Sequence, residues 1–372
     1  MSGCANVGYY LQSVNGQLDL WRRQQPIEQL VNDPATPEAL RRKLASVLEI
    51  RAFASRELGL PDNRSYRLYA DLGRRFVVWA VFATQEFSIQ PAQWCFVMVG
   101  CVSYRGYFAQ EAADRFAADL GGQGYDVYVG PVPAYSTLGW FPDPVLNTFI
   151  HYPEAELARL IFHELTHQVV YVRDDTVFNE SFAVAVEQEG VRRWLALAGN
   201  AQQKAAFDRT QKVRAEFVQL VRKYRERLDA LYRTRLAPEA MRARKSEILR
   251  ELEQEHQTLK QRDWGGFTGY DPWFARKPNN AQLTSVAIYA QLVPAFQALL
   301  RREGDDLSRF YAAVKALAAL PKEERTAQLV RLAPQVAGDL DSTPAAKPSG
   351  LQGKREYDEI ERLPAAGPDG GK

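Results

Sequence analysis

The stretch that decides the fold is residues 154–183, which read EAELARLIFHELTHQVVYVRDDTVFNESFA. Its first part places apolar residues at helical spacing and predicts a core helix over about 154–172. A short polar turn at 173–176 follows, and a second helix is predicted over about 178–197. The stretch therefore predicts two helices that fold back on each other around the turn.

The first of these helices carries two histidines one turn apart, in the sequence His163-Glu164-Leu165-Thr166-His167. Residues i and i+4 share one helix face, so both imidazoles can bind a single metal ion. Glu164 lies about 100° further round the helix axis, where its carboxylate can reach a water molecule without binding the ion. In this spacing zinc acidifies the water, and the glutamate takes its proton as the water attacks a carbonyl. The sequence thus predicts His163 and His167 as zinc ligands and Glu164 as the base.

A catalytic zinc needs a third protein ligand and one open position. Glu180 lies thirteen residues after His167, near the start of the second helix, and the turn would bring its carboxylate to the ion. Asp174 and Asp175 compete for this role, although in a polar turn we expect them to cap a helix or face solvent. No His-x-x-Gly-x-x-His sequence follows the motif, which excludes a metzincin.

Composition limits the classes of function. The chain has 372 residues, of which 46% are hydrophobic and 25% charged, as in an ordinary soluble globular protein. Its formal net charge is +2, from 47 basic and 45 acidic side chains. This balance gives no electrostatic reason to expect a nucleic-acid partner or a polybasic membrane surface. No apolar run approaches the roughly 18 residues that would cross a bilayer.

The remaining patterns predict an α+β fold that is mainly helical, with a small antiparallel sheet next to the helix of the two histidines. Residues 8–338 are assigned to one metallopeptidase domain, and residues 1–7 to a short linker. Within the domain we expect helices over about 8–60, a strand-rich part over about 64–150, the two site helices over about 154–198, a charged and solvated helical hairpin over about 201–262, and helices over about 281–302 and 306–318. The tail at 339–372 is rich in Pro, Gly and charge, and we expect it to be disordered.

The three cysteines give information about the cellular compartment in which the protein is found. Cys4 ends the sequence Met1-Ser2-Gly3-Cys4, which is similar to the end of a bacterial lipobox, while the charged and apolar parts of a signal are missing from this chain. Cys95 and Cys101 could form a disulfide in an exported protein, or remain two buried thiols in the cytosol. Either way their spacing predicts a structural role, because it lacks the Cys-x-x-Cys form of a redox or metal site.

Several motifs together resemble one family, the predicted zinc-dependent aminopeptidases of Gram-negative bacteria. In chain order they are CVSYRGYF (101–108), YSTLGWF (135–141), HELTH (163–167), NESFA (179–183) and PNNA (278–281). The resemblance covers roughly residues 4–320 and is of the gluzincin type, in which HExxH is followed by Asn-Glu-x-x-Ala on the next helix. The connection between these two motifs is shorter here than is usual in gluzincins.

The resemblance implies one Zn²⁺ bound by His163, His167 and Glu180, with Glu164 as the base and a peptide as the substrate. Members of the family typically begin with a lipoprotein signal that ends at the same Ser-Gly-Cys. The resemblance therefore implies lipidation of Cys4 and a periplasmic, membrane-anchored location, with contact to the membrane only through that anchor.

Other side chains are weaker candidates. Metallopeptidases commonly place a hydrogen-bond donor against the developing oxyanion, and Tyr289, Tyr104 or Arg105 could serve, although packing explains each of them as well. Residues 136–140 could form an edge strand for a bound peptide, or a plain turn. We expect His151 to lie at the surface, with a contact near the metal as the alternative, and His256 to be solvated on the hairpin.

Three functions remain open at this point: a zinc aminopeptidase, a zinc endopeptidase, and a non-catalytic envelope lipoprotein with a structural zinc site. A structural zinc usually has four protein ligands, whereas the sequence offers three and a base, which favours catalysis. The sequence does not indicate which acidic side chain would bind the α-amine of a substrate. Nothing in the sequence indicates the oligomeric state.

Overall fold

A computed structural model describes residues 2–96, 100–134 and 136–333, with the side chains of 2–8, 10, 11 and 290 outside the description. This part of the chain is mainly helical with small, mostly antiparallel sheets, which confirms the predicted α+β class. The tail predicted to be disordered lies outside the described residues. The first helix begins at Ser2, so the backbone of residues 2–7 is helical where a linker was expected.

The elements follow each other along the chain in a simple order. The helices are α1 (Ser2–Arg22), α2 (Ile27–Asn32), α3 (Glu38–Arg56), α4 (Gln110–Gly122), α5 (Glu154–Thr166), α6 (Thr176–Leu197), α7 (Ala201–Tyr232), α8 (Pro238–Arg262), α9 (Asp271–Phe274), α10 (Asn280–Ala290), α11 (Val293–Arg302), α12 (Leu307–Ala318) and α13 (Lys322–Leu332). The strands are β1 (Gln25–Pro26), β2 (Leu68–Ala70), β3 (Val78–Gln85), β4 (Trp94–Phe96), β5 (Gly100–Val102), β6 (Arg105–Tyr107), β7 (Tyr125–Val132) and β8 (Val145–Leu146).

The strands of the described residues form three small sheets, where the sequence predicted one. In the largest, β3 lies between β6 and β7 and is antiparallel to both. Side chains of β3 alternate between two apolar layers: Val81 packs toward α4, and Phe82 packs toward α10. Strands β4 and β5 form a separate hairpin, and β2 pairs with β1 in antiparallel and with β8 in parallel fashion.

Helices α5 and α6 pack against each other and provide much of the main core. The apolar side of α5 includes Leu157, Ile161 and Leu165, which are 0% exposed. The two helices approach closely at Gly190, where an added Cβ would lie 2.7 Å from the Phe162 ring. Helix α5 ends at Thr166, earlier than predicted, and hydrogen-bonded turns carry the chain on through residues 167–169.

Helices α7 and α8 form the hairpin that the charge pattern predicted, at nearly the predicted boundaries. A capping box between Asn200 and Gln203 begins α7, and Pro238 begins α8. The hairpin is not simply solvated, because one face of it forms an apolar cluster that includes Phe217, Leu252 and Trp264. This packing explains why a strongly charged segment is held in a fixed place.

The C-terminal helices differ from the prediction in one respect, since the single helix expected over 281–302 is two helices. The break falls at Leu292, and Pro294, which has no backbone N–H, stands in the first turn of α11. By length and apolar composition the combined stretch Asn280–Arg302 could cross a membrane, contrary to our expectation that no run would. Its most apolar 18-residue window is 59% buried inside the protein, however, and Phe296 packs on Phe178 of α6, as expected of a core element.

Candidate metal centre

The turn between α5 and α6 is closed by local hydrogen bonds. The Asn179 side chain accepts from the Val172 N–H at 2.8 Å and donates to the Val172 carbonyl at 2.7 Å. The Asp175 side chain caps α6 by accepting from the Phe178 N–H, and it pairs with Arg325 at 2.8 Å. These contacts fix the position of Glu180, which lies one turn into α6 and faces α5.

Three potential ligand atoms converge across the two helices. The Nε2 atom of His163 lies 3.2 Å from Oε2 of Glu180, and Nε2 of His167 lies 3.7 Å from the same oxygen. The three side chains offer ligand atoms within 4.8 Å of one another, and could together hold a metal ion. In the part of the chain that the structure describes, this is the one such group of three or more His, Cys, Asp or Glu side chains.

His167 is a buried imidazole whose ring makes no hydrogen bond to the described part of the chain. It is 7% exposed, its Nδ1 atom has no partner among the described residues, and Nε2 lies beyond hydrogen-bond distance from Glu180. Leaving a buried polar group without partners is costly, and a bound metal ion would remove that cost at Nε2, although not at Nδ1. Burial lowers the pKa of His167 to about 4, so the ring is neutral near pH 7, as a metal ligand must be.

His163 lies between two carboxylates. Its Nδ1 atom lies 2.8 Å from Oε2 of Glu187, and its Nε2 atom faces Glu180. Burial acts to lower the pKa of His163, but the hydrogen bonds to Glu180 and Glu187 outweigh it and raise the pKa to about 10. Both ring nitrogens of His163 thus face a carboxylate.

Glu187 is a site residue that the sequence analysis missed. It follows Glu180 by seven residues, or two turns of α6, which puts both carboxylates on one helix face. Its side chain is 2% exposed and accepts two hydrogen bonds of 3.1 Å from Arg159. Burial acts to raise the pKa of Glu187, but the Arg159 guanidinium and then His163 lower it to about 2. The seven-residue spacing of Glu180 and Glu187 was the sequence feature that could have identified Glu187 as a site residue.

Glu164, the predicted base, is half-buried beside these groups. Burial raises the pKa of its carboxyl to about 7; the His163 charge acts to lower it, and the carboxylates of Glu180, Asp143 and Glu187 act to raise it further. A carboxyl group with a pKa near neutrality can both take and return a proton at ordinary pH.

Of the three oxyanion candidates, the structure brings two tyrosines to the site and leaves out the arginine. Desolvation and then the carboxylate of Glu180 raise the pKa of both Tyr104 and Tyr289, and Glu164 adds to this shift. Tyr289 is nevertheless 37% exposed. The guanidinium of Arg105 instead lies 4.0 Å from the centre of the Tyr9 ring. Tyr104 packs on Phe82, on the α10 side of the sheet, and the next residue points to the opposite side.

The two cysteines of the β4–β5 hairpin are joined by a disulfide, Cys95–Cys101. The N–H of Cys101 donates to Oδ1 of Asp174, in the turn between α5 and α6, at 2.5 Å. Asp174 has a φ of +64° and neighbours Gly100, where an added Cβ would collide with its carboxylate. The disulfide hairpin thus rests against the turn that joins the two ligand-bearing helices. The side chain of Cys4 lies outside the described residues.

Two further expectations have clear outcomes. His151 is exposed, as expected, but the expectation that His256 is solvated is wrong: it is 0% exposed and its ring stacks on Phe274 with centroids 3.7 Å apart. The apolar face of the hairpin buries it. Residues 136–141 form a turn rather than an edge strand, since Thr137 accepts from the Phe141 N–H and Trp140 donates to the Thr137 carbonyl.

Comparison with known proteins gives a family. A family model described as "Putative aminopeptidase" matches residues 8–329, which is most of the chain. The protein therefore belongs to this family of peptidases, for which a peptide substrate is implied. No curated protein and no solved structure matches the chain.

Proposed function

We propose that the protein is a zinc-dependent peptidase, and specifically an aminopeptidase, with His163, His167 and Glu180 as zinc ligands. The observation that carries the proposal is the convergence of the three ligand atoms on one point between α5 and α6. A tetrahedral zinc with bonds of about 2.0–2.1 Å has ligand–ligand edges of about 3.3–3.4 Å. The separations of 3.2 and 3.7 Å from the Glu180 oxygen to the two imidazole nitrogens bracket that length.

The donor set also supports zinc over other divalent ions. Two imidazoles and one carboxylate are a common catalytic zinc set, whereas Mg²⁺ and Ca²⁺ prefer oxygen ligands only. With three protein ligands a coordination position stays open for substrate, which favours catalysis over the structural zinc of the alternative hypothesis. The hydrogen bond from His163 to Glu187 adds the carboxylate–histidine pairing typical of zinc centres.

Zinc bound there would act as a Lewis acid, polarising the scissile carbonyl and making a water molecule a stronger nucleophile near neutral pH. Glu164 takes the proton from the attacking water on its carboxylate and then returns it to the leaving amine. The hydroxyl groups of Tyr104 and Tyr289 donate to the developing oxyanion. His163 is held by Glu187 throughout, so that its ring keeps one orientation.

An export signal and lipid anchor belong to the same proposal. The Met1–Cys4 sequence supports lipidation of Cys4 and a periplasmic location, and a Cys95–Cys101 disulfide is the usual state in an oxidising compartment. Expression of the natural precursor with labelled fatty acid tests this part. Label is expected in the wild type and absent from Cys4→Ala.

The activity is tested with purified protein, one equivalent of Zn²⁺, and peptides with free or acetylated N-termini. Wild-type protein is expected to release N-terminal residues from free peptides, and Glu164→Gln to lose turnover by at least 100-fold while it keeps its zinc. Glu154→Gln, in the first turn of the same helix, is the matched control and should stay active. Equal cleavage of acetylated peptides would identify an endopeptidase, and no turnover by the zinc-loaded wild type would contradict catalysis.

A further inference from the structure

The helical hairpin contributes to a partly buried chain of charges that ends at the metal-ligand candidate His163. From α7, Arg214, which is 31% exposed, pairs with Glu156 of α5 at 3.3 Å and lies 3.9 Å from Glu187 of α6. On α5, Arg159 contacts the same two carboxylates, at 2.7 and 3.1 Å. Glu187 in turn lies 2.8 Å from Nδ1 of His163. Two arginines and two glutamates thus alternate in one compact group.

This group is better described as a network than as surface ion pairs. The side chain of Glu187 is 2% exposed, and those of Glu156 and Arg159 about one-fifth exposed. The group contains two positive and two negative side chains, and each of them contacts a side chain of opposite charge. Removing one member of such a partly buried network leaves a charge without compensation, which costs far more than breaking an exposed pair.

We propose that Arg214 is a positioning residue for the metal centre, supplied by the hairpin, and that it fixes His163 through Glu187. With Arg214 in place, each of the two glutamates contacts both guanidinium groups, and these contacts hold Glu187 under the imidazole. Without it, Glu156 and Glu187 depend on Arg159 alone, and the acceptor for His163 Nδ1 loses one of the contacts that fix its position. The inference rests on the proposed metal function and gives the hairpin a role in it.

Two physical effects of removing Arg214 have opposite signs, which makes the proposal testable. If the guanidinium acted only through its long-range charge, its removal would leave the site more negative and tighten the binding of a cation. If it acts by positioning, its removal weakens metal binding, because loss of a partner that orients a ligand typically costs 10–100-fold in affinity. The sign of the change therefore separates the two.

The experiment measures the dissociation constant for Zn²⁺ of the full chain by competition with a chromophoric chelator. Arg214→Met, which keeps an apolar stem of similar length, is expected to bind zinc at least 10-fold more weakly than wild type. Arg214→Lys, which keeps the charge but not the forked geometry, is expected to fall between the two. Arg209→Met, an exposed position on the same helix, is the control and should equal wild type.

The outcomes separate this inference from the proposed function. If wild-type protein binds no zinc, the metal function itself fails. If wild type binds zinc and Arg214→Met binds it equally or more tightly, the positioning role fails while the metal function stands. Thermal unfolding of the metal-free proteins checks folding, and should Arg214→Met not fold, the Arg214→Lys affinity decides: equality with wild type overturns the proposal.

Discussion

The Nδ1 atom of His163 lies 2.8 Å from Oε2 of Glu187, although 24 residues of chain separate the two. This contact fixes the orientation of the imidazole, because with Nδ1 engaged the Nε2 atom must point to Glu180. Metal-binding histidines commonly use such a carboxylate to set their tautomer and raise their basicity. The relationship links the middle of α6 to the candidate metal centre.

Replacing Glu187 should weaken metal binding without removing a ligand. Glu187→Ala leaves Nδ1 of His163 without its acceptor and leaves Arg159 with Glu156 alone, so zinc affinity is expected to fall 10–100-fold. The dissociation constant is measured by chelator competition. Glu189→Gln, which breaks only contacts to Arg192 and Arg193 on the surface, should keep wild-type affinity. Equal affinities for Glu187→Ala and wild type would show that the contact between Glu187 and His163 does not contribute to zinc binding.

The close approach of α5 and α6 at Gly190 makes a separate prediction about stability. A methyl group there would lie 2.7 Å from the Phe162 ring and 2.8 Å from Leu58, both fully buried. Gly190→Ala is therefore expected to lower the free energy of unfolding by about 1–3 kcal/mol through overpacking. Gly122→Ala is the matched control, because nothing lies within 4 Å of its added Cβ. Urea denaturation of both variants tests this, and a Gly190→Ala protein as stable as the control would contradict the packing.

Asp143 predicts a pH dependence of stability. Burial raises the pKa of its carboxyl from 3.8 to about 6, despite hydrogen bonds from Thr137 and Ser136. The unfolded chain loses this proton at lower pH than the folded protein, so the contribution of Asp143 to stability falls as pH rises from about 4 through 6. The total change is on the order of 2–3 kcal/mol, at about 1.4 kcal/mol per pKa unit.

The measurement is the free energy of unfolding at several values between pH 4 and 7. Asp143→Asn cannot ionise, so its stability should rise relative to wild type across this range, whereas the exposed control Asp114→Asn should follow wild type. Parallel curves for Asp143→Asn and wild type would mean that the folded protein does not hold this proton.

The disulfide hairpin should contribute both stability and order near the site. Opening the short Cys95–Cys101 loop with a double serine substitution is expected to cost about 2 kcal/mol, from the chain entropy that the cross-link removes in the unfolded state. Because the hairpin contacts Asp174, zinc affinity should fall as well. Wild-type protein treated with dithiothreitol should match the double variant in denaturation. Unchanged stability in both cases would show that the cross-link does not contribute.

The features that could be predicted from the sequence depend on residues that are close together along the chain. The spacing of His163 and His167 depends only on helix geometry, and the two helices that carry the site were visible in the apolar pattern. The α7–α8 hairpin was likewise predicted from residues close in sequence, through its charge pattern and length. Pro294, which marks the start of α11 after the break at Leu292, was visible in the sequence too, but the continuous apolar pattern of residues 281–302 concealed the break.

What the sequence could not predict depends on contacts between distant segments. Nothing near Glu187 indicates that Arg159 and Arg214 neutralise it, because those residues lie on other helices. His256 was expected to be solvated from its charged neighbours, yet Phe274, on a different helix, buries it. The short apolar strands predicted the fold class but not which strands pair, because pairing is set by contacts between segments distant in sequence.

The central claim, that His163, His167 and Glu180 form one zinc site, is tested most directly by metal content. Protein dialysed against buffer with trace Zn²⁺ is analysed by inductively coupled plasma mass spectrometry, for the wild type, for Glu180→Ala and for the control variant Glu154→Gln in the first turn of α5. The account predicts close to one zinc per wild-type and Glu154→Gln chain and a large loss for Glu180→Ala. Full zinc in Glu180→Ala, or none in the wild type, would contradict it.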